Sequence, residues 1–278
     1  MFFMIVFKRM IEMLKYLVCQ PWLTLRMMSQ IPRSCRGFNY SRCWKSVATE
    51  KATIEDRPAS PAISNPLKVF FDARVKGRGI WKWEHYFDIY HRHLSRFVGC
   101  GVDVLEIGVY SGGSLEMWRH YFGSKSRIYG VDREESCKCY ENEYTKIVIG
   151  DQGDSRFWDA FSEHVPAIDV LVDDGGHTVE QQIVTLEKML PRLRPGGVYI
   201  CEDIVGNHNG FAAFMHGLVD NLNAANGLGP EARANATEFQ SWINSVHFYP
   251  YVTVIEKAKS PLRQLIAPKH GTEWQPFL

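Results

Sequence analysis

The sequence has little net charge, no regular cysteine framework and no long apolar run near its start. Its 278 residues carry a formal charge of +1, which leaves no basic excess to neutralise phosphates and argues against a nucleic-acid partner. The seven cysteines form no regular framework, so we interpret them as reduced thiols of an intracellular protein. The uncharged run YLVCQPWLTL is about half of the ~20 residues that a bilayer requires, and Pro21 interrupts it. We therefore predict no stable membrane span.

The start of the chain differs in composition from the rest. The first 49 residues hold eight Lys or Arg and a single acid, Glu12. An Arg-rich, acid-poor leader of this kind resembles a mitochondrial presequence, and a disordered or mis-started extension is an equal alternative. We expect residues 1–49 to lie outside the fold, and the protein to be mitochondrial if this leader is a targeting signal and cytoplasmic otherwise.

The remaining chain divides into a linker, one main domain and a tail. Residues 50–66 contain three prolines and little hydrophobic density, which is typical of a linker. Residues 67–260 are expected to form the main domain. The prolines of residues 261–278 indicate an irregular tail.

The main domain has the pattern of an α/β fold. From residue 102, short Val- and Ile-rich runs alternate with amphipathic segments, which predicts a mostly parallel sheet with helices on both faces. The final strand-like pair, VHFYPYVTVIEKA, turns at Pro250 and predicts an antiparallel hairpin. Ser114 is the expected cap of the helix after the first strand. Upstream aromatic residues at helical spacing, from Trp83 to Phe97, predict a packed helix. Trp81, Trp83 and Tyr86 either line a ligand pocket or belong to the core.

Ligands of open parallel sheets bind beyond the carboxyl ends of the strands, so the residues after each strand are the informative ones. The first loop, EIGVYSGGS, has glycines that permit a tight turn and close approach to a ligand. Tyr110 stands where nicotinamide enzymes have their second glycine. Asp132 ends the second strand, where an acid can bind both hydroxyls of a ribose. The next loop, GDQGD, is suited to the edge of an adenine. An adenosine-bearing cofactor explains all three loops together.

The fourth and fifth strands end in a cluster of acids. IDVLVDDGGH places Asp173, Asp174 and His177 around two glycines, and Glu202 and Asp203 follow the next strand. Carboxylates crowded into one cleft destabilise each other unless a cation lies among them. Mg²⁺ prefers carboxylate and water oxygens, and a neutral imidazole beside it can accept a proton. Alone, each of these residues is more often a capping, surface or structural residue.

Together, VLEIGVYSGGS, IYGVD, GDQGD, IDVLVDDGGH and LRPGGVYICED resemble class I S-adenosylmethionine-dependent methyltransferases. More narrowly, they are similar to the metal-dependent sugar O-methyltransferases of macrolide biosynthesis and to the family named after cephalosporin hydroxylase. The resemblance covers about residues 80 to 257. It implies a Rossmann-like fold with a mostly parallel seven-stranded sheet, two cofactors (S-adenosylmethionine and Mg²⁺), and methyl transfer to a hydroxyl of a small molecule, a sugar or natural product.

The resemblance also implies site residues. Asp174, Glu202 and Asp203 are the expected metal ligands and His177 the expected base. The residues expected to contact the methyl donor are Glu106, Gly108, Tyr110, Ser111, Gly112, Ser114, Asp132, Asp151, Gln152 and Asp173. Related enzymes often assemble, which leaves a homo-oligomer open, and methylation without metal stays an alternative.

Two other functions remain open from the sequence. An NAD(P)-binding oxidoreductase uses the same fold class, but the missing second glycine and the acidic cluster disfavour it. A cofactor-binding assembly protein without catalysis is the second alternative, and the complete set of acids and base disfavours it.

Overall fold

The structure is a computed structural model that describes residues 11, 14–43, 64–225, 235–268 and 270–271. The chain divides into two compact units, Met1–Ala62 and Ile63–Leu278. In the first unit, helices α1 (Pro21–Met28) and α2 (Ile31–Cys43) fall within the segment expected to be a leader. The expected linker lies mostly outside the described residues, so the boundaries of leader, linker and tail stay predictions. No helix in the described parts of the chain is both long and apolar enough to cross a membrane.

The second unit alternates strands and helices, with an antiparallel hairpin near its end. Its strands are β1 (Asp103–Ile107), β2 (Arg127–Asp132), β3 (Thr145–Ile149), β4 (Ile168–Asp173), β5 (Leu193–Cys201), β6 (Ile243–Tyr249) and β7 (Val252–Lys257). Its helices are α3 (Pro66–Asp72), α4 (Tyr86–Leu94), α5 (Gly113–Phe122), α6 (Ser155–His164), α7 (Val179–Met189), α8 (Gly210–Leu222) and α9 (Glu238–Trp242).

The seven strands form one sheet in the order β3-β2-β1-β4-β5-β7-β6. Strands β1 to β5 pair in parallel, whereas β7 runs antiparallel between β5 and β6. The predicted α/β sheet and its terminal hairpin are therefore confirmed. The strand order reverses between β1 and β4, and this reversal opens a crevice at the carboxyl ends of the strands.

Both faces of the sheet are covered, as the apolar runs predicted. Successive strand side chains point to opposite faces, so Val104 belongs to one core cluster and Leu105 to the other. The first core takes its helical residues from α3, α4 and α5, with Trp118 and Tyr90 fully buried. The second takes them from α6, α7 and α8, including Trp158. A sheet buried on both faces positions its strand ends rigidly.

One expected helix cap is wrong. Helix α5 begins at Gly113, and its N-cap is Gly112 in a left-handed conformation, not Ser114. The hydroxyl of Ser114 instead donates a 2.6 Å hydrogen bond to Oε2 of Glu106 at the end of β1. A carboxylate that is buried without a hydrogen-bond donor is strongly destabilising. The free N–H groups of a helix N-terminus can instead bind a ligand, so this helix needs no side-chain cap.

Helix α4 is fixed to the hairpin by a buried histidine. His93 lies 2.7 Å through Nδ1 from Oε1 of Glu256 on β7, and 2.9 Å through Nε2 from the hydroxyl of Tyr249. The bond from His93, together with the Arg96 guanidinium, lowers the pKa of Glu256 to about 2. These contacts lock the helix against the edge of the sheet.

Replacing Glu256 with glutamine is expected to lower the free energy of unfolding at pH 7 by about 1–3 kcal/mol, because a charge-assisted bond is lost. The native pKa lies below the ordinary value of 4.5, so this contribution is present above about pH 4.5 and is lost as the pH falls towards 2. Urea unfolding of both proteins across that range measures it. Exposed Glu163 supplies the control, Glu163→Gln. A constant difference at every pH would contradict the assignment.

Candidate active site

A cleft of about 950 Å³ lies beyond the carboxyl ends of the parallel strands. Its size is in the range of ligand pockets and suits a nucleoside together with a second substrate. Eleven of the fourteen residues that the sequence singled out lie on its wall: Gly108, Tyr110, Ser111, Ser114, Asp132, Asp151, Gln152, Asp174, His177, Glu202 and Asp203. The cleft thus brings together loops from five strands.

The glycine after β1 is required by the close approach of the loop after β4. Gly108 has a φ of +89°, and a Cβ at this position would lie 2.0 Å from the carbonyl oxygen of Asp174. Backbone cannot move aside as a flexible side chain could. The two loops therefore meet at their main chains. The loop after β1 belongs to the side of the cleft where we expect the methyl donor, which we call the donor side, so this side lies directly beside the acidic cluster.

The variant Gly108→Ala is expected to be less stable than the native protein by at least about 2 kcal/mol, because overpacking and an unfavourable φ act together. Gly217 in α8 is the matched control, since a Cβ there meets open space. Gly217→Ala is expected to be neutral or slightly stabilising. Thermal unfolding compares the two variants, and equal melting temperatures would show that the loops are not in close contact.

On the donor side of the cleft, two acids accept hydrogen bonds from the backbone of their own and neighbouring loops. Oδ2 of Asp132 accepts hydrogen bonds from the N–H groups of Val109 and Tyr110, at 2.9 and 3.1 Å. Oδ1 of Asp151 accepts a hydrogen bond of 2.8 Å from the N–H of Gly153. A carboxylate has about four acceptor sites, so each acid can shape its loop and still accept from a ligand hydroxyl or amine.

Gln152 joins three segments beneath the cleft. Its Nε2 donates to Oδ1 of Asp173 at 2.9 Å, and its Oε1 accepts from the N–H of Gly176 at 2.7 Å. The side chain is buried. Gln152 therefore orders the turn after β4, which is a use that the sequence did not indicate.

Three expected donor contacts lie behind the wall of the cleft. Gly112 backs onto the ring of Tyr140, and Glu106 is fully buried beside Ser114. Asp173 is buried between Gln152 and the hydroxyl of Tyr199, and burial raises its pKa to about 7. Since these residues do not line the cleft, the structure places them where they support the donor loops from below.

Asp174, His177 and Asp203 form the acidic end of the cleft. Each offers one ligand atom, and these atoms lie within 4.8 Å of one another. Nε2 of His177 is 3.7 Å from Oδ2 of Asp203. The register explains the proximity, since Asp173 pairs with Cys201 in adjacent parallel strands. Two carboxylates and one imidazole are a donor set that suits a divalent cation.

Three residues of the cleft have an unusual backbone conformation. Tyr110, His177 and Asp203 have φ values of 49°, 56° and 55°, in the left-handed region that residues with a Cβ rarely adopt. Such conformations concentrate at functional sites because the surrounding structure must enforce them. All three residues line the cleft.

The third predicted metal ligand, Glu202, is held differently. It is fully buried; its Oε1 accepts from the hydroxyl of Tyr90 at 2.6 Å and its Oε2 from Nζ of Lys82 at 3.0 Å. Burial raises the pKa of Glu202, and the Lys82 ammonium opposes that rise. Both carboxylate oxygens thus have partners within the protein, and the role of Glu202 as a metal ligand stays a prediction.

Sequence reasoning missed Lys82. Its Nζ lies 2.6 Å from Asp174 and 3.4 Å from Glu106, in addition to Glu202. Burial disfavours its charge, but the surrounding carboxylates outweigh burial and raise the pKa of Lys82. The only signal in the sequence is a lysine between two tryptophans, WKW, directly before a buried aromatic helix.

Aromatic residues from the same segment surround the mouth of the cleft. Trp81 is 87% exposed, whereas Tyr86 is buried. Trp83 Nε1 and the Tyr86 hydroxyl both donate to Oδ1 of Asp203, at 3.1 and 2.7 Å. Trp83 and Tyr86 thus orient Asp203. All three aromatic residues line the cleft and offer flat apolar surface to a ligand.

Comparison with known proteins identifies the type of domain. Residues 105–204 match the family model described as a methyltransferase domain. The chain is 27% identical over 242 residues to the 8-demethyl-8-alpha-L-rhamnosyl tetracenomycin-C 2'-O-methyltransferase of Streptomyces olivaceus, covering 77% of this chain and 63% of that protein. It is 35% identical over 132 residues to the demethylmacrocin O-methyltransferase of Streptomyces fradiae, covering 45% and 33%. The chain thus spans less than two thirds of these relatives.

Solved structures agree with this fold. MycE methyltransferase from the mycinamycin biosynthetic pathway, in complex with Mg and SAH, superposes with a TM-score of 0.56 at 26% identity, covering 70% of this chain and 53% of that one. Its complex with Mg, SAH and mycinamycin VI gives a TM-score of 0.57 at 24% identity, covering 70% and 53%. None of these similarities supports an oxidoreductase or a non-catalytic assembly protein.

Proposed function

We propose that the chain transfers the methyl group of S-adenosylmethionine to a hydroxyl of a small molecule, since residues 105–204 match a family model described as a methyltransferase domain. The observation that carries this proposal is the position of His177 beside Asp174 and Asp203, at the end of a cleft whose other wall is built from nucleoside-type loops. A sugar hydroxyl is the acceptor we favour, since the relatives methylate glycosylated natural products by name.

The residues of the chain divide the work. The loops at Gly108, Asp132 and Asp151 would hold the methyl donor at one side of the cleft. Trp81 and Trp83 flank the position of the acceptor, where aromatic faces can pack on a sugar ring. Bringing two substrates together in this way can supply about 7–11 kcal/mol of the barrier.

His177 then acts as the base. Its imidazole accepts the proton of the acceptor hydroxyl, the oxygen attacks the methyl carbon, and the carbon–sulfur bond breaks to leave S-adenosylhomocysteine. Asp203, 3.7 Å away, stabilises the imidazolium that forms. A divalent cation bound at Asp174 and Asp203 would make the hydroxyl more acidic.

Methyl transfer can be tested with the purified full chain, a labelled methyl donor and pairs of acceptors that differ only in a sugar. We expect label on the glycoside and none on its aglycone. Thermal shifts with S-adenosylhomocysteine and with NADH provide the second arm. Stabilisation by NADH alone, without transfer of label, would refute the proposal in favour of an oxidoreductase.

A further inference from the structure

Lys82 divides the acidic cluster into an inner and an outer position. We define the inner position by Glu106, Asp174 and Glu202, whose oxygens lie 3.4, 2.6 and 3.0 Å from Nζ of Lys82. The Lys82 side chain is only 3% exposed. The outer position comprises Asp174, His177 and Asp203, which are partly exposed to the cleft. Asp174 belongs to both positions.

We propose that Lys82 is a positioning residue that supplies the cation of the inner position and so confines a divalent cation to the outer one. Glu202 is then a partner of Lys82 and not a metal ligand. This inference rests on the proposed function in one respect, the binding of a divalent cation near Asp174 and Asp203.

The charges of the inner position support this division. Three carboxylates meet there, two of them fully buried, and without a positive charge their repulsion would oppose folding. The ammonium of Lys82 satisfies this need within the chain itself. Oε1 of Glu106 lies 3.4 Å from this ammonium, which is its compensating charge.

The partners of Glu202 leave it little freedom to reach an ion in the outer position. Its two oxygens accept from Tyr90 and Lys82, and Gln182 donates to its main-chain carbonyl at 3.1 Å. Turning the carboxylate outwards would leave a buried ammonium with fewer partners, which is strongly unfavourable. Asp203 differs, because Trp83 and Tyr86 occupy its Oδ1 while Oδ2 faces His177.

The outer position suits the chemistry of magnesium. Mg²⁺ is usually held through one or two carboxylates and keeps several waters, which a substrate can replace. Asp174 and Asp203 provide two carboxylates at the exposed side of the cluster. An ion held there has open positions towards the cleft, where the acceptor hydroxyl is expected.

The direct test is a crystal structure of the full chain with Mn²⁺ and S-adenosylhomocysteine, in which anomalous scattering locates the ion. We expect the ion on Asp174 and Asp203, with Lys82 still in contact with Glu202. An ion bound by Glu202, with Lys82 displaced, would overturn the inference. Crystals without any ion would overturn it together with the metal dependence of the proposed function.

Calorimetric titration with Mn²⁺ gives an independent measurement in solution. Asp203→Asn is expected to cost at least about tenfold more affinity than Glu202→Gln when Lys82 is present. In a Lys82→Met background the difference should disappear, because Glu202 is released and becomes a ligand. Equal losses in the presence of Lys82 would contradict the division. Lys188→Met, which removes a surface pair with Asp159, is the control.

Stability measurements cover the case in which Lys82→Met folds poorly. The melting temperature of this variant should be lowered in chelator and should rise with Mn²⁺ more than that of the native protein, since the ion can replace the lost charge. An equal rise in both proteins would count against Lys82 as the inner cation. None of these measurements uses an acceptor. A chain that binds Mn²⁺ as described but methylates nothing would refute the proposed function alone.

Discussion

Replacing His177 with alanine is expected to lower the rate of methyl transfer at least about a hundredfold, the lower end of the contribution of a general base. The side chain lies at the acidic end of the cleft, 38% exposed and 3.7 Å from Asp203, so it can reach an acceptor hydroxyl. The donor loops lie on the other wall, and the affinity for S-adenosylhomocysteine should not change. Single-turnover rates and calorimetric titration measure the two quantities.

The same variant separates two roles for His177. Its ring nitrogen also lies within 4.8 Å of ligand atoms of Asp174 and Asp203, which would allow it to bind the ion. A base that does not bind metal leaves the Mn²⁺ affinity nearly unchanged on removal, whereas a ligand lowers it about tenfold or more. His164→Ala, at an exposed helix end, is the control. Unchanged turnover in His177→Ala would remove it as the base.

Removing divalent cations with a chelator is expected to stop methyl transfer, and added Mg²⁺ is expected to restore it. Lys82 brings one positive charge to Glu106, Asp174 and Glu202, and Asp203 adds a further carboxylate beside Asp174. The remaining negative charge would attract a divalent ion to the exposed side, where the ion would make a bound hydroxyl more acidic.

The chelation experiment needs a binding control, because loss of activity alone could report unfolding. The melting temperature in chelator and the affinity for S-adenosylhomocysteine should stay close to their values with Mg²⁺, since Lys82 already compensates the buried carboxylates. Methyl transfer that is indifferent to chelator would mean that Lys82 suffices. In that case Asp174 and Asp203 would accept hydrogen bonds from the hydroxyl group that is to be methylated.

Local patterns predicted the sheet because its strands are short, buried and separated by amphipathic helices. Val104 and Leu105 alternate between two cores, and Pro250 marks the turn of the terminal hairpin. Local patterns could not show that Ser114 is not the helix cap. The competing partner of its hydroxyl, Glu106, lies on the preceding strand and becomes visible only when helix and strand pack together.

The candidate site likewise contains residues that the sequence could place and residues that it could not. Asp132, Asp174 and Asp203 follow strands, and parallel strands place such residues at one edge whatever the details of packing. Gln152 follows β3 and Asp173 is the last residue of β4, but their side chains turn inwards to each other. Whether a polar side chain faces the cleft or the core depends on partners that are distant in sequence.

The sequence by itself determined which residue types stand at the ends of the strands: glycines at the first, an acid at the second, and acids with a histidine at the fourth and fifth. Hydrophobic periodicity and turn residues are local properties, so they are written in consecutive residues. Only the tertiary structure decided which charge balances those acids. Lys82 lies 92 residues from Asp174 and 120 from Glu202, and electrostatic attraction acts across space, regardless of separation along the chain.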